Sequence, residues 1–103
     1  MFIANIKATE DWKELESEIA EIVSGFSFQA DTTYFIQIDA TDGVLRLAEV
    51  AEADAGDLTK ADGLVLRAGQ TAEYIKASGL KLYVRKDEPT DAELRILIAQ
   101  KEA

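Results

Sequence analysis

Chemistry in this chain would fall chiefly to carboxylates, because its sequence contains neither cysteine nor histidine. The missing cysteines remove disulfides, thiolate metal sites and cysteine nucleophiles together. The missing histidines remove the usual general base near neutral pH and the commonest metal ligand. Ser-His-Asp and Cys-His catalysis are thereby excluded, with nearly all structural zinc. Twenty Asp and Glu residues remain. The candidate ion site among them is Glu52, Asp54, Asp57 and Asp62. Their spacing departs from the helix-loop-helix calcium pattern, which needs oxygen donors at alternate positions and then a glycine. A solvated acidic loop is therefore expected there, with no metal. Hydrolysis by paired carboxylates needs a cleft holding them at a set separation. The eight aromatics (one Trp, three Tyr, four Phe) imply no such cleft, since most fall in core phase. Neither catalytic residue nor cofactor is expected.

Contact chemistry has better candidates. Phe35 and Tyr83 fall on the polar phase of their segments. With Arg46, Lys81 and Arg85 they would form an exposed aromatic and basic patch on an otherwise acidic molecule. Tyr and Arg are enriched where interfaces carry energy; ordinary cross-strand pairing on a solvated face is the plainer alternative. Trp12, Phe26 and Phe28 would make either a ligand platform or a core anchor. The phase of Trp12 with Leu15 and Ile19 favours the core.

These residues must be positioned by a mainly β framework. Phe2 to Lys7 reads as a first strand with apolar residues on both faces. Residues 10–24 read as one amphipathic helix, its stripe formed by Trp12, Leu15, Ile19, Ile22 and Val23. Thr9 suits its N-cap, Gly25 a left-handed C-terminal position, and Glu10, Glu14, Glu18 and Glu21 an acidic far side. The period then changes to two. Tyr34, Ile36 and Ile38 alternate with Phe35, Gln37 and Asp39, and Asp42-Gly43 signals a hairpin into a paired strand from Val44 to Val50. Leu45 and Leu47 should face inward and Arg46 outward. Residues 51–63 read as a mobile acidic loop. Strands follow at Leu64 to Arg67, Ala72 to Lys76 and Leu80 to Lys86, with Lys81, Tyr83 and Arg85 on the outer face of the last. Asp87 to Asp91 should break the sheet, Glu93 to Ala99 should form a final strand, and residues 100–103 should fray. The expected fold is one domain over 1–103, mainly β (α+β): an antiparallel β-sandwich or open barrel of six to seven short strands with one N-terminal helix.

Composition narrows the partners. A chain that is 48% hydrophobic and 30% charged with one proline is globular rather than disordered. Its net charge of −9 makes it a poor ligand for nucleic acid and for anionic membrane surfaces. The longest apolar runs are too short to span a bilayer, and the N-terminus does not read as a signal peptide.

The order of segments also carries a resemblance. Trp12-x-x-Leu15 leads through the helix to Gly25-Phe26-Ser27-Phe28. There follow Tyr34-Phe35-Ile36-Gln37, Arg46-Leu47-Ala48-Glu49 and Gly79-Leu80-Lys81-Leu82-Tyr83-Val84. From about residue 12 to 86 this cadence resembles small structural proteins encoded in tailed-phage and prophage gene clusters. The resemblance implies a non-enzymatic virion accessory protein, such as a capsid decoration or head-fibre component. Its partners would be capsid or other virion proteins, and no catalytic residue carries over. The net charge adds an expectation of place. A packaged polyanionic genome would repel this chain, so an exterior position suits a protein made in the host cytoplasm and assembled on the particle. The Arg46, Lys81, Tyr83 and Arg85 face would dock on the shell, and reversing the charge of Arg46 and Arg85 should leave the fold intact. The two-faced apolar segments suggest self-association as a dimer or trimer. A carbohydrate- or host-surface-binding β-sandwich module is the alternative role, followed by a small carboxylate enzyme.

Overall fold

Alternation of apolar and polar residues becomes alternation of buried and exposed ones along most strands. A computed structural model describes residues 1–87 and 94–101. Its strands are β1 (Phe2–Ala8), β2 (Lys13–Glu14), β3 (Thr33–Ile38), β4 (Val44–Val50), β5 (Leu64–Arg67), β6 (Thr71–Ile75), β7 (Lys81–Lys86) and β8 (Leu94–Gln100). They form two four-stranded antiparallel sheets: sheet A in the order β1-β8-β3-β6, and sheet B in the order β2-β7-β4-β5. The fold is a mainly β sandwich. Ala4, Ile6, Tyr34, Ile36, Ile96 and Ile98 of sheet A share one core with Leu45, Leu47, Leu66, Leu82 and Val84 of sheet B. Such a core is the physical reason the period of two dominates: each strand needs one apolar face and no more.

The expected hairpin at Asp42-Gly43 is corrected. The strands on either side exist, but they lie in different sheets. β3 pairs with β6 and β8, while β4 pairs with β5 and β7. Residues 39–43 therefore carry the chain from one layer to the other. Both strands have an apolar face, and facing each other across the core buries those faces as edge-to-edge pairing would not.

The expected helix over 10–24 shrinks to α1 (Leu15–Ala20). Lys13 and Glu14 are instead drawn into sheet B as β2, opposite Val84 and Tyr83. The acidic residues at i, i+4 disfavour a helix in isolation, so pairing with a sheet edge wins. Glu14 takes the N-cap position expected for Thr9, whose carbonyl accepts the Lys86 N–H at 2.8 Å. Leu15 and Ile19 are fully buried, as their phase implies, but Ile22 is exposed and Trp12 lies outside the helix. Gly25 does adopt a positive φ of 77°.

The stretch 51–63 is more regular than a weakly patterned loop. It carries a 3₁₀ helix over Glu52–Asp57, and then a turn in which Asp62 Oδ2 accepts the Thr59 N–H at 2.7 Å. β8 begins at Leu94; Glu93 and the expected sheet break at Glu88 to Asp91 lie outside the described residues. Gln100 and Lys101 are tied rather than frayed, donating backbone N–H groups to Met1 and Thr33. Residues 102 and 103 also lie outside the described part.

Candidate functional site

The sandwich has two outer faces, and they differ in kind. On sheet B, Arg46 (β4) and Lys81, Tyr83 and Arg85 (β7) share the outer face, as their phase implied. They do not form an exposed patch, which is a correction. Arg85 is 4% exposed and Tyr83 is buried. Residues 10–12 and 59–62 lie against them as straps. Arg85 Nε donates to the Glu10 carbonyl at 2.9 Å, and Nη1 to the Lys60 carbonyl at 3.1 Å and Asp87 Oδ1 at 3.0 Å. Arg46 Nη1 donates to the Ala61 carbonyl at 3.0 Å, and its Nε pairs with Asp87 Oδ1 at 3.0 Å. Trp12 caps the arrangement. Its indole N–H donates to the Thr59 carbonyl at 3.0 Å, and the Arg85 guanidinium lies 6.0 Å from its ring. The basic residues thus hold the molecule's own straps. Acidic residues expected to stay solvated join them: Lys81 pairs with Glu14 at 3.0 Å and Glu52 at 3.3 Å, and Lys13 with Glu18 at 3.5 Å.

This network has an acid signature. The Arg46 guanidinium beside it, helped by the hydrogen bond from Arg85, holds the Asp87 carboxyl below its ordinary range. Burial pushes the Glu14 carboxyl up, but hydrogen bonds from Ser17 and Lys81 outweigh it and leave it lowered. Both groups bind protons less readily in the folded than in the unfolded chain. Their stabilisation is complete above the ordinary carboxylate range and is lost as the pH falls through the depressed folded values. Thermal melts should therefore drop steeply below about pH 4, and Asp87→Asn should flatten that drop. Equal acid slopes in the two proteins would show that the network does not govern acid stability.

The outer face of sheet A carries no such straps among the described residues. Register places Phe2, Ala99, Phe35 and Glu73 in one row across β1, β8, β3 and β6. Leu97 and Gln37 stand together in the neighbouring row, and Thr33 stands opposite Ile75 at its other side. Phe2 is 60% and Ile75 59% exposed, while Phe35 is half-buried by its neighbours alone. Phe35 therefore lies on the opposite side of the molecule from Arg46, Lys81, Tyr83 and Arg85, and the five do not form one interface. Phe2, Phe35 and Leu97 lie on the two-faced apolar segments from which self-association is expected, and Ile75 on β6 is the addition. The signal was the apolar residue on both phases of β1, β3 and β8; what could not be read was which strands stand side by side.

The other candidates resolve into structure. Phe28 is buried in edge-to-face contact with Phe26 at 5.1 Å, Tyr34 at 4.8 Å and Tyr74 at 5.0 Å, closing one end of the core. Trp12 is half-buried on the sheet B straps and does not join that cluster. Among the described residues no group of three or more acidic side chains is arranged to hold a metal ion. No helix there is long and apolar enough to cross a membrane. No protein-family model, curated protein or solved structure matches the chain.

Proposed function

We propose that this is a non-enzymatic structural protein that works by protein-protein contact, with the outer face of sheet A as its contact surface. The observation that carries this reading is the row of Phe2, Ala99 and Phe35, flanked by Leu97 and Ile75, in which Phe2 and Ile75 stand exposed and the other three are half-buried. A second copy is the partner that suits it. Two such faces can stack about 10 Å apart as the two halves of a sandwich do, and a two-fold axis presents each row to its own image. The basic face of sheet B, engaged by its own straps, takes no part.

Within that reading the role is that of a tailed-phage virion accessory protein, a capsid decoration or head-fibre component on the outside of the particle. It is supported by the resemblance of the strand cadence and by the net charge of −9, which disfavours a position against packaged nucleic acid.

Light scattering should give a dimer for the native chain. Phe35→Glu should give a monomer with unchanged strand content, because Phe35 is outside the core. A strict monomer at high protein concentration would overturn self-association. For the virion role, antibodies should reach the protein on intact particles of the phage encoded around its gene. Recovery only from ruptured particles would refute the exterior position, and absence from particles the role itself.

A further inference from the structure

We propose that the groove beside the end of β4 takes an extended segment of a partner protein, alternating basic and apolar residues, as an added strand. This surface is separate from the sheet A face, and the inference stands without that reading.

Pairing of β4 with β5 ends at Leu47 and Leu64, yet β4 continues to Val50. The Asp87 N–H donates to the Val44 carbonyl at 2.8 Å. By the alternation of an antiparallel ladder, even-numbered residues of β4 then direct their peptide groups to β7 and odd-numbered ones to the β5 side. The Glu49 N–H and C=O accordingly face the side on which β5 has ended. Asp62, which the register would place opposite, is engaged elsewhere: its N–H donates to Thr59 at 3.2 Å, and its carbonyl accepts from Arg46 at 3.3 Å. Gly63, at φ +89°, turns the chain out of the ladder at that point.

Beside this overhang lies an open groove of about 520 Å³. Ala48, Val50, Leu58 and Leu64 give it apolar walls, and Leu64 is 76% exposed. Asp54, Asp57 and Asp62 stand around it, and no lysine or arginine lines it. An open strand edge selects an extended backbone, because main-chain bonds supply the docking. The apolar walls select alternate aliphatic side chains, and the acidic surround selects lysine or arginine between them. Complementary charge of this kind raises the association rate and rejects acidic competitors.

The test uses the full chain, labelled with ¹⁵N, and two synthetic peptides: acetyl-Lys-Val-Lys-Leu-Lys-Val-amide and its counterpart with glutamate for lysine. The basic peptide should shift the amides of Glu49, Val50, Leu58 and Leu64 and slow hydrogen exchange at Glu49, with affinity falling as salt rises. The acidic peptide should leave them unmoved. Asp54→Asn with Asp57→Asn should weaken the basic peptide about tenfold at low salt while the melting temperature stays within the native range. Shifts confined to the sheet A face, equal response to both peptides, or no response to the basic one would each overturn the proposal.

Discussion

Replacing Gly63 with alanine should destabilise the protein by about 3 kcal/mol or more. Gly63 sits at φ +89°, where an L side chain is strained. A Cβ there would lie 2.6 Å from the Leu47 carbonyl oxygen and 3.1 Å from Trp12 Cη2. The oxygen belongs to the backbone of a central strand, so it cannot swing aside as the tip of a side chain could. Relief would have to come from parting β5 from β4 or lifting Trp12 off its strap, and both undo packing elsewhere. Gly56→Ala is the matched control. Gly56 lies in the 3₁₀ helix with nothing within 4 Å of an added Cβ, so the change should be within about 1 kcal/mol of neutral. Urea melts of both variants decide the matter, and a Gly63→Ala midpoint as high as that of Gly56→Ala would refute the close-approach account.

The second large effect is at Arg85. Its guanidinium is buried and binds two backbone carbonyls and one carboxylate. Arg85→Met would leave the Glu10 and Lys60 carbonyls without that donor and strip Asp87 of one of its two cations. Hydrogen bonds to a charged group contribute about 1.5–3 kcal/mol each, so losing the set made by this guanidinium should cost about 3–5 kcal/mol. Arg85→Lys should rescue little, because a single ammonium cannot reproduce the planar fork that reaches all three acceptors. Reversing Arg46 and Arg85 together to glutamate should unfold the chain, in contrast to the intact fold expected from an exposed patch. Trp12 fluorescence offers a local readout: release of the straps should shift its emission to the red along with the lowered melting temperature. A double reversal that melts like the native protein would return these residues to the surface.

The contrast at Arg85 shows where sequence reading stops. The alternation of Lys81, Tyr83 and Arg85 with Leu82 and Val84 correctly divides β7 into two faces. Alternation says which residues share a face but not what lies above it. The covering straps come from residues 10–12 and 59–62, which have no β period and no apolar stripe pointing at the sheet. They are held by guanidinium-to-carbonyl bonds, and backbone carbonyls leave no mark in a sequence because every residue has one. Trp12 failed for a related reason. Its spacing from Leu15 and Ile19 fits a helix, but pairing of Lys13 and Glu14 with β7 outcompetes a helical turn burdened by like charges.

Gly43 and Gly63 mark the same boundary from the other side. Each is a turn residue by type, and each does sit at positive φ. Whether the turn closes a hairpin or carries the chain between layers depends on which strand the next segment meets. Asp42-Gly43 joins β3 to β4 across the core because β8, about fifty residues on in the chain, takes the place beside β3 that a hairpin would have given to β4.

The residue order carries whatever short-range physics controls. It set the strand positions through the period of two, the buried set through residue type, the fold class through the count of short strands, and the excluded chemistries through the missing histidine and cysteine. Partnership comes from the closed sandwich: which strands adjoin, which outer face is strapped and which lies open, and where a strand outruns its neighbour. Those depend on hydrogen bonds and close approaches between residues far apart in the chain. Their backbone groups are common to all residues, so they are specified only when the whole sandwich closes.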